Sequence, residues 1–165
     1  MPDFLFFSRI RSTYVEPVAE NRLYAVCQLI DTATEAMAKV VVSTPELEIV
    51  ETKATVLRSP VRPPKDPSEL VARVRGIRIG PGMKKIIKGL MGETPLERQL
   101  AFMVEECCNA VILSFTKDVL VQRPKDTKTV KDFYRNMVKE NIRLYNRCAA
   151  FAPGSPLVEG IELPR

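Results

Sequence analysis

The stretch MVEECCNA (103–110) sets two carboxylates, Glu105 and Glu106, beside two thiols, Cys107 and Cys108. Paired thiolates with a nearby carboxylate are the donor types of a soft-metal or iron–sulfur site. With 3.6 residues per turn, neighbours on a helix project about 100° apart. Cys107 then falls at the centre of an apolar stripe with Leu96, Leu100, Met103, Ala110, Val111 and Ser114. Cys108 lies further round with Val104, Ile112 and Phe115, and Glu105 and Glu106 flank the arc from opposite sides. The wheel therefore predicts core cysteines acting as small hydrophobes, Cys107 buried and Cys108 nearer the edge, with both carboxylates reaching solvent on separate sides. The alternative is a metal or iron–sulfur scaffold that uses Cys107, Cys108 and Glu105, completed by Cys27 or Cys148.

The rest of the chemical inventory is narrow. The chain has no histidine, so no Ser-His-Asp or Cys-His nucleophile and no imidazole metal ligand can form within it. A small-molecule enzyme would have to rest on a carboxylate base such as Asp31 or Glu35. Both fall in an expected hairpin, where turn formation is the simpler role for Asp31. The four cysteines follow no disulfide or zinc-finger spacing and read as reduced thiols of a cytoplasmic protein. Neither a membrane-spanning run nor a signal-peptide pattern is present.

Positive charge is unevenly placed. From Leu70 to Gly92 there is no acidic residue but six cations, Arg73, Arg75, Arg78, Lys84, Lys85 and Lys88, which alone exceed the net charge of +5. Within that block Gly80-Pro81-Gly82 reads as a tight turn opening a helix. Free amides at such a start could hold an anion with help from Lys84 and Lys85, although no Walker-type motif is present. A second basic feature is Arg135, Lys139, Arg143 and Arg147, an i,i+4 ladder on the last helix, read as a solvated face or a partner surface. Neither region interleaves aromatics with its cations, which gives no support to single-strand nucleic-acid binding.

The elements that must position these groups divide the chain in two. At 165 residues, 45% hydrophobic and 27% charged, it is expected to form one domain. Residues 1–58 read as a sheet half of about four antiparallel strands, joined by short polar turns. A proline-rich link (59–69) stops the sheet. Residues 70–152 read as a helical half of about four helices, two of them long: one from Thr94-Pro95 to about Arg123, the other from about Asp126 to Ala150. Val130, Phe133, Tyr134, Met137, Leu144, Tyr145 and Cys148 form the apolar stripe of the second, with Asn141 among them. Residues 153–165 read as an extended tail. Sheet first and helices after define an α+β fold, with helices layered on one sheet face.

Two segments carry a family likeness. One is YAVCQLIDTATEAMAKVVVSTPELEIVETKATVLRSPV, where an aspartate ends a strand and a proline-containing link closes the sheet. The other is LVARVRGIRIGPGMKKIIKGLMGET, with its G-x-x-I-G-P-G and L-x-G steps. Over roughly residues 22–116 the chain resembles a bacterial family, domain-of-unknown-function family 2889. The family pattern continues with a Gly-Cys-Thr-His-Leu-like segment. Here ETPLERQL stands instead, with Glu97 and Gln99 at the cysteine and histidine positions, so no Cys/His site carries over. The resemblance implies a fold and no established activity; a looser likeness to iron–sulfur scaffold proteins is one of fold order alone. The sequence thus points to a non-catalytic accessory protein that binds an anion or an acidic protein partner through its basic surface, with no cofactor. A homo-oligomer is compatible with it, and neither a nucleic-acid nor a membrane partner is expected.

Overall fold

A computed structural model of the chain describes residues 6–61, 66–140, 142–146 and 148–161. The chain forms two compact units, Met1–Phe115 and Thr116–Arg165. The first is α+β. Four strands, β1 (Arg9–Ala19), β2 (Arg22–Asp31), β3 (Glu35–Ser43) and β4 (Glu48–Arg58), make an antiparallel meander in sequence order. The register sets Thr13, Cys27, Ala38 and Ala54 in one row across the sheet.

Period-two alternation explains the inner face. Along β3, Ala36, Ala38, Val40 and Val42 are buried while the residues between them are half-buried. Asp31 makes the β2–β3 turn by accepting the amides of Ala33 (2.9 Å) and Thr34 (2.6 Å). On the outer side of β4, Gly76–Ile79 runs along the strand edge. Ile49 donates to Ile77 (2.9 Å), Gly76 to Ile49 (2.8 Å) and Ile79 to Leu47 (2.8 Å).

The helices follow the link, of which residues 62–65 lie outside the described ones. α1 (Pro67–Ala72) starts at Asp66, whose carboxylate accepts the Ser68 amide (2.8 Å). α2 (Met83–Met91) starts at Gly82, held in the left-handed region at φ 84°, which glycine adopts without penalty. α3 (Pro95–Ser114) opens on a capping box: Thr94 accepts the Glu97 amide and the Glu97 carboxylate accepts the Thr94 amide (2.9 Å). α3 packs on β1, β2 and β3, and also against α1 and α2. α1 itself packs chiefly on β4, beside α3, while α2 rests mainly on α3. The core gathers small sheet residues, Ala25, Cys27, Ala36, Ala38 and Ala54, under Leu100, Met103 and Cys107 of α3. Small side chains there let the helix approach closely enough for the Cys107 thiol to reach the Ala38 carbonyl (3.7 Å).

The second unit holds α4 (Thr116–Gln122), α5 (Thr127–Glu140) and two 3-10 turns, Ile142–Leu144 and Ala149–Phe151. The first long helix thus ends at Ser114 rather than near Arg123. Ser114 turns its hydroxyl back onto the Val111 carbonyl (2.8 Å), a bond that competes with helix continuation. The second long helix ends at Glu140 rather than Ala150. Asn146 adopts a left-handed φ of 57°, which no helix continues through, and donates its amide to Phe151 (2.8 Å). Asn141 lies outside the described residues. Around Tyr134 gather the Phe133 ring at 5.4 Å, the Phe151 ring at 6.4 Å and the Arg123 guanidinium at 6.0 Å. Cys148, placed on the apolar stripe by periodicity, is exposed. The expected extended tail is a run of turns through Gly160, with Val158 buried. No helix among the described residues is long and apolar enough to cross a membrane.

Candidate functional site

The double cysteine comes first. Cys107 and Cys108 are both fully buried, as is Cys27 of β2. Burial pushes the Cys107 thiol far above the ordinary range, and the neighbouring Cys27 and Cys108 thiols add to the shift. Cys108 is pushed up to about 12, by burial first and then by the Glu105 carboxylate. Cys27 is raised by burial against a hydrogen bond from Thr13. All three thiols keep their protons at neutral pH. Two expectations fail here. Cys108 is not near an edge, and Glu105 does not reach solvent, being only 4% exposed. The reason is that α2, and to a lesser extent α1, also pack against α3, beyond the stripe it turns to the sheet. Glu106 stays at the surface and pairs with Arg11 (3.7 Å), whose guanidinium also lies over Phe102 at 4.7 Å. Glu105 keeps one carboxylate oxygen without a hydrogen-bond partner. Among the described residues no three of His, Cys, Asp and Glu come together as a metal-binding group.

The carboxylates considered as bases are structural. Asp31 is 8% exposed and receives the Ala33 and Thr34 amides and the Arg9 guanidinium (3.0 Å). Its largest single influence, burial, raises its pKa. The hydrogen bonds from Thr34, Ala33 and Arg9 together outweigh it, so the carboxyl titrates below its ordinary value. A carboxylate so engaged has no free oxygen for a proton in flight. Glu35 sits within 3.9 Å of Arg58 at the end of the same sheet.

The basic block is built from three pieces. Arg73, just after α1, donates to the Leu90 carbonyl (3.1 Å) at the C-terminal turn of α2, where a cation complements the helix dipole. Arg75 donates to the Thr52 carbonyl (3.5 Å), and Arg78 is carried outward on the segment that bridges β4 at Glu48. Lys84, Lys85 and Lys88 project from α2. All six are exposed, and none pairs with a carboxylate among the described residues. α2 buries Met83, Ile87 and Met91 at i, i+4 and i+8. Lys84 and Lys88 flank that buried stripe on one side; Ile86 (50% exposed) and Leu90 (39%) flank it on the other. The periodicity of α2 was legible in sequence. The apolar pair Ile86 and Leu90 was missed, because nothing in the pattern says which flank the core leaves uncovered.

Gly80 and Gly82 serve the turn. At the start of α2, Met83 donates to the Gly80 carbonyl (3.2 Å), and Lys85 and Ile86 donate to Gly82 (3.0 and 3.2 Å). These amides are thereby withdrawn from an anion cradle. The second basic feature is not a continuous ladder. Arg135 is half-buried, pairs with Asp132 (3.0 Å) and donates to the Pro156 carbonyl (3.4 Å), while Lys139 is exposed. α5 stops before Arg143, of which only the backbone, in a 3-10 turn, is described; Arg147 lies outside the described residues.

With this geometry established, comparison with known proteins adds nothing further: no family model, no curated protein and no solved structure matches the chain.

Proposed function

We propose that the chain is a non-catalytic interaction protein that docks an acidic protein partner on the basic face of α2 and the segment before it. The observation that carries this reading is that Arg78, Lys84, Lys85 and Lys88 are exposed without a carboxylate partner among the described residues. Cations left unpaired by the fold cost little to bring against a carboxylate-rich surface, and they speed encounter with it. Ile86 and Leu90 beside them supply the apolar contact that charge alone does not, since interfaces draw their affinity from a few well-packed anchors. An extended partner surface suits the site better than a small anion, because the Met83, Lys85 and Ile86 amides at the helix start are already bonded. The enclosed thiols and the engaged Asp31 support a role without chemistry of its own.

The test is capture of binding proteins by the wild-type chain and by Lys84→Glu/Lys85→Glu, followed by calorimetry on the captured partner between about 0.1 M and 0.5 M salt. The expected result is an acidic partner whose affinity falls with salt and is lost on charge reversal. A partner held equally well by the reversed chain, with no salt dependence, would sink the proposal.

A further inference from the structure

The two edges of the sheet are treated differently. β4 is covered by the Gly76–Ile79 segment, whereas no described segment pairs with the outer edge of β1. Thr32 donates its amide to the Ser8 carbonyl (3.1 Å), which fixes the phase. Ser8, Ile10, Ser12, Tyr14 and Glu16 turn their backbone groups toward β2. Arg9, Arg11, Thr13 and Val15 therefore turn theirs outward, unpaired. An 11-residue edge of this kind is a template for another strand. Beside it lies a cleft of about 740 Å³ between β1 and the C-terminal half of α3, lined by Thr13, Tyr14, Val15, Ala110 and Ile112 among others. Ile112 is 44% exposed there.

What should occupy this edge is written along β1. Its exposed apolar residues, Ile10, Tyr14 and Val18, are spaced evenly by four about Tyr14. Arg9 and Arg11 lie on the opposite face, where they pair with Asp31 and Glu106 of the same chain. An apolar pattern symmetric about one residue complements its own antiparallel copy. A two-fold axis through Tyr14 places Tyr14 against Tyr14 and Ile10 against Val18 of the second copy. On the other face Thr13 meets Val15, next to the cleft under Ile112. Pro17, which lacks an N–H, closes the ladder opposite Arg11. We infer that the chain forms a two-fold dimer by antiparallel pairing of β1 with β1 of a second copy, centred on Tyr14, which joins the two sheets into one of eight strands.

The experiment uses the full chain. Sedimentation over rising concentration should move the wild type to twice 18.6 kDa. Tyr14→Glu sets a charge against itself on the axis and should weaken the dimer roughly tenfold with unchanged circular dichroism. In a Cys148→Ser background, which removes the exposed thiol, Tyr14→Cys should close an interchain disulfide under an added oxidant. Opposed residues of a non-hydrogen-bonded pair lie about 4.5 Å apart between Cα atoms, within disulfide reach. Thr13→Cys, about 7 Å from its own copy on the diagonal, should not. A chain that stays monomeric at every concentration overturns the inference, including one whose β1 edge instead takes a strand from another protein. So does a dimer that ignores Tyr14→Glu and leaves Tyr14→Cys unlinked.

Discussion

Cys27, Cys107 and Cys108 lie in the core with their protons held by burial, and the thiolate is the form that reacts with alkylating reagents. Native labelling followed by mass spectrometry should therefore mark exposed Cys148 alone, and the other three only after unfolding. Fast native labelling of Cys107 or Cys108 would contradict the structure. Asp31 tests the opposite kind of shift. Its folded pKa lies below its unfolded one, so its contribution to stability is present above the ordinary carboxylate range and is lost as pH falls through the folded value. Asp31→Asn should cost about 1–3 kcal/mol at neutral pH, and its stability should vary less than that of the wild type as pH drops below about 4. Denaturant melts across that range read both effects. Glu105 offers a gain: Glu105→Met removes a buried carboxyl with an unbonded oxygen at nearly constant volume, and should raise stability by about 1–3 kcal/mol.

At the scale of elements, the start of α3 is decided locally. Thr94, Pro95 and Glu97 read as a helix start from sequence, and the capping box forms as those residue types allow. Thr94→Ala should lower stability by about 1 kcal/mol, measured by thermal melts. The end of α3 was less legible. Periodicity ran on toward Arg123 because Ile112 and Phe115 keep the apolar pattern, while the Ser114 hydroxyl that competes with the helix at Val111 leaves no mark in that pattern. The wheel also failed at Glu105 and Cys108, since periodicity ranks the faces of one helix without knowing how many neighbours it will have. α2 shows the same gap, with its buried stripe readable and its exposed Ile86 and Leu90 not.

At the scale of the whole molecule, every residue of the main core lies at or before Val111, inside the unit that ends at Phe115. A fragment of residues 1–115 should therefore unfold cooperatively on its own, with a melt close to that of the corresponding transition in the full chain. A fragment without a cooperative transition would show that Thr116–Arg165 completes that core. The four antiparallel strands, the proline-rich stop and the absence of histidine chemistry were determined by the sequence alone, whereas the meander order of the strands comes from the structure. Strand alternation, turn residues and caps act over a few neighbours and need no knowledge of the rest of the chain. Tertiary structure alone decided that α3 is covered on two sides, that Gly76–Ile79 closes one sheet edge while no described segment pairs with the other, and that six cations find no carboxylate among the described residues. These depend on which distant segments meet, and local spacing carries no record of that.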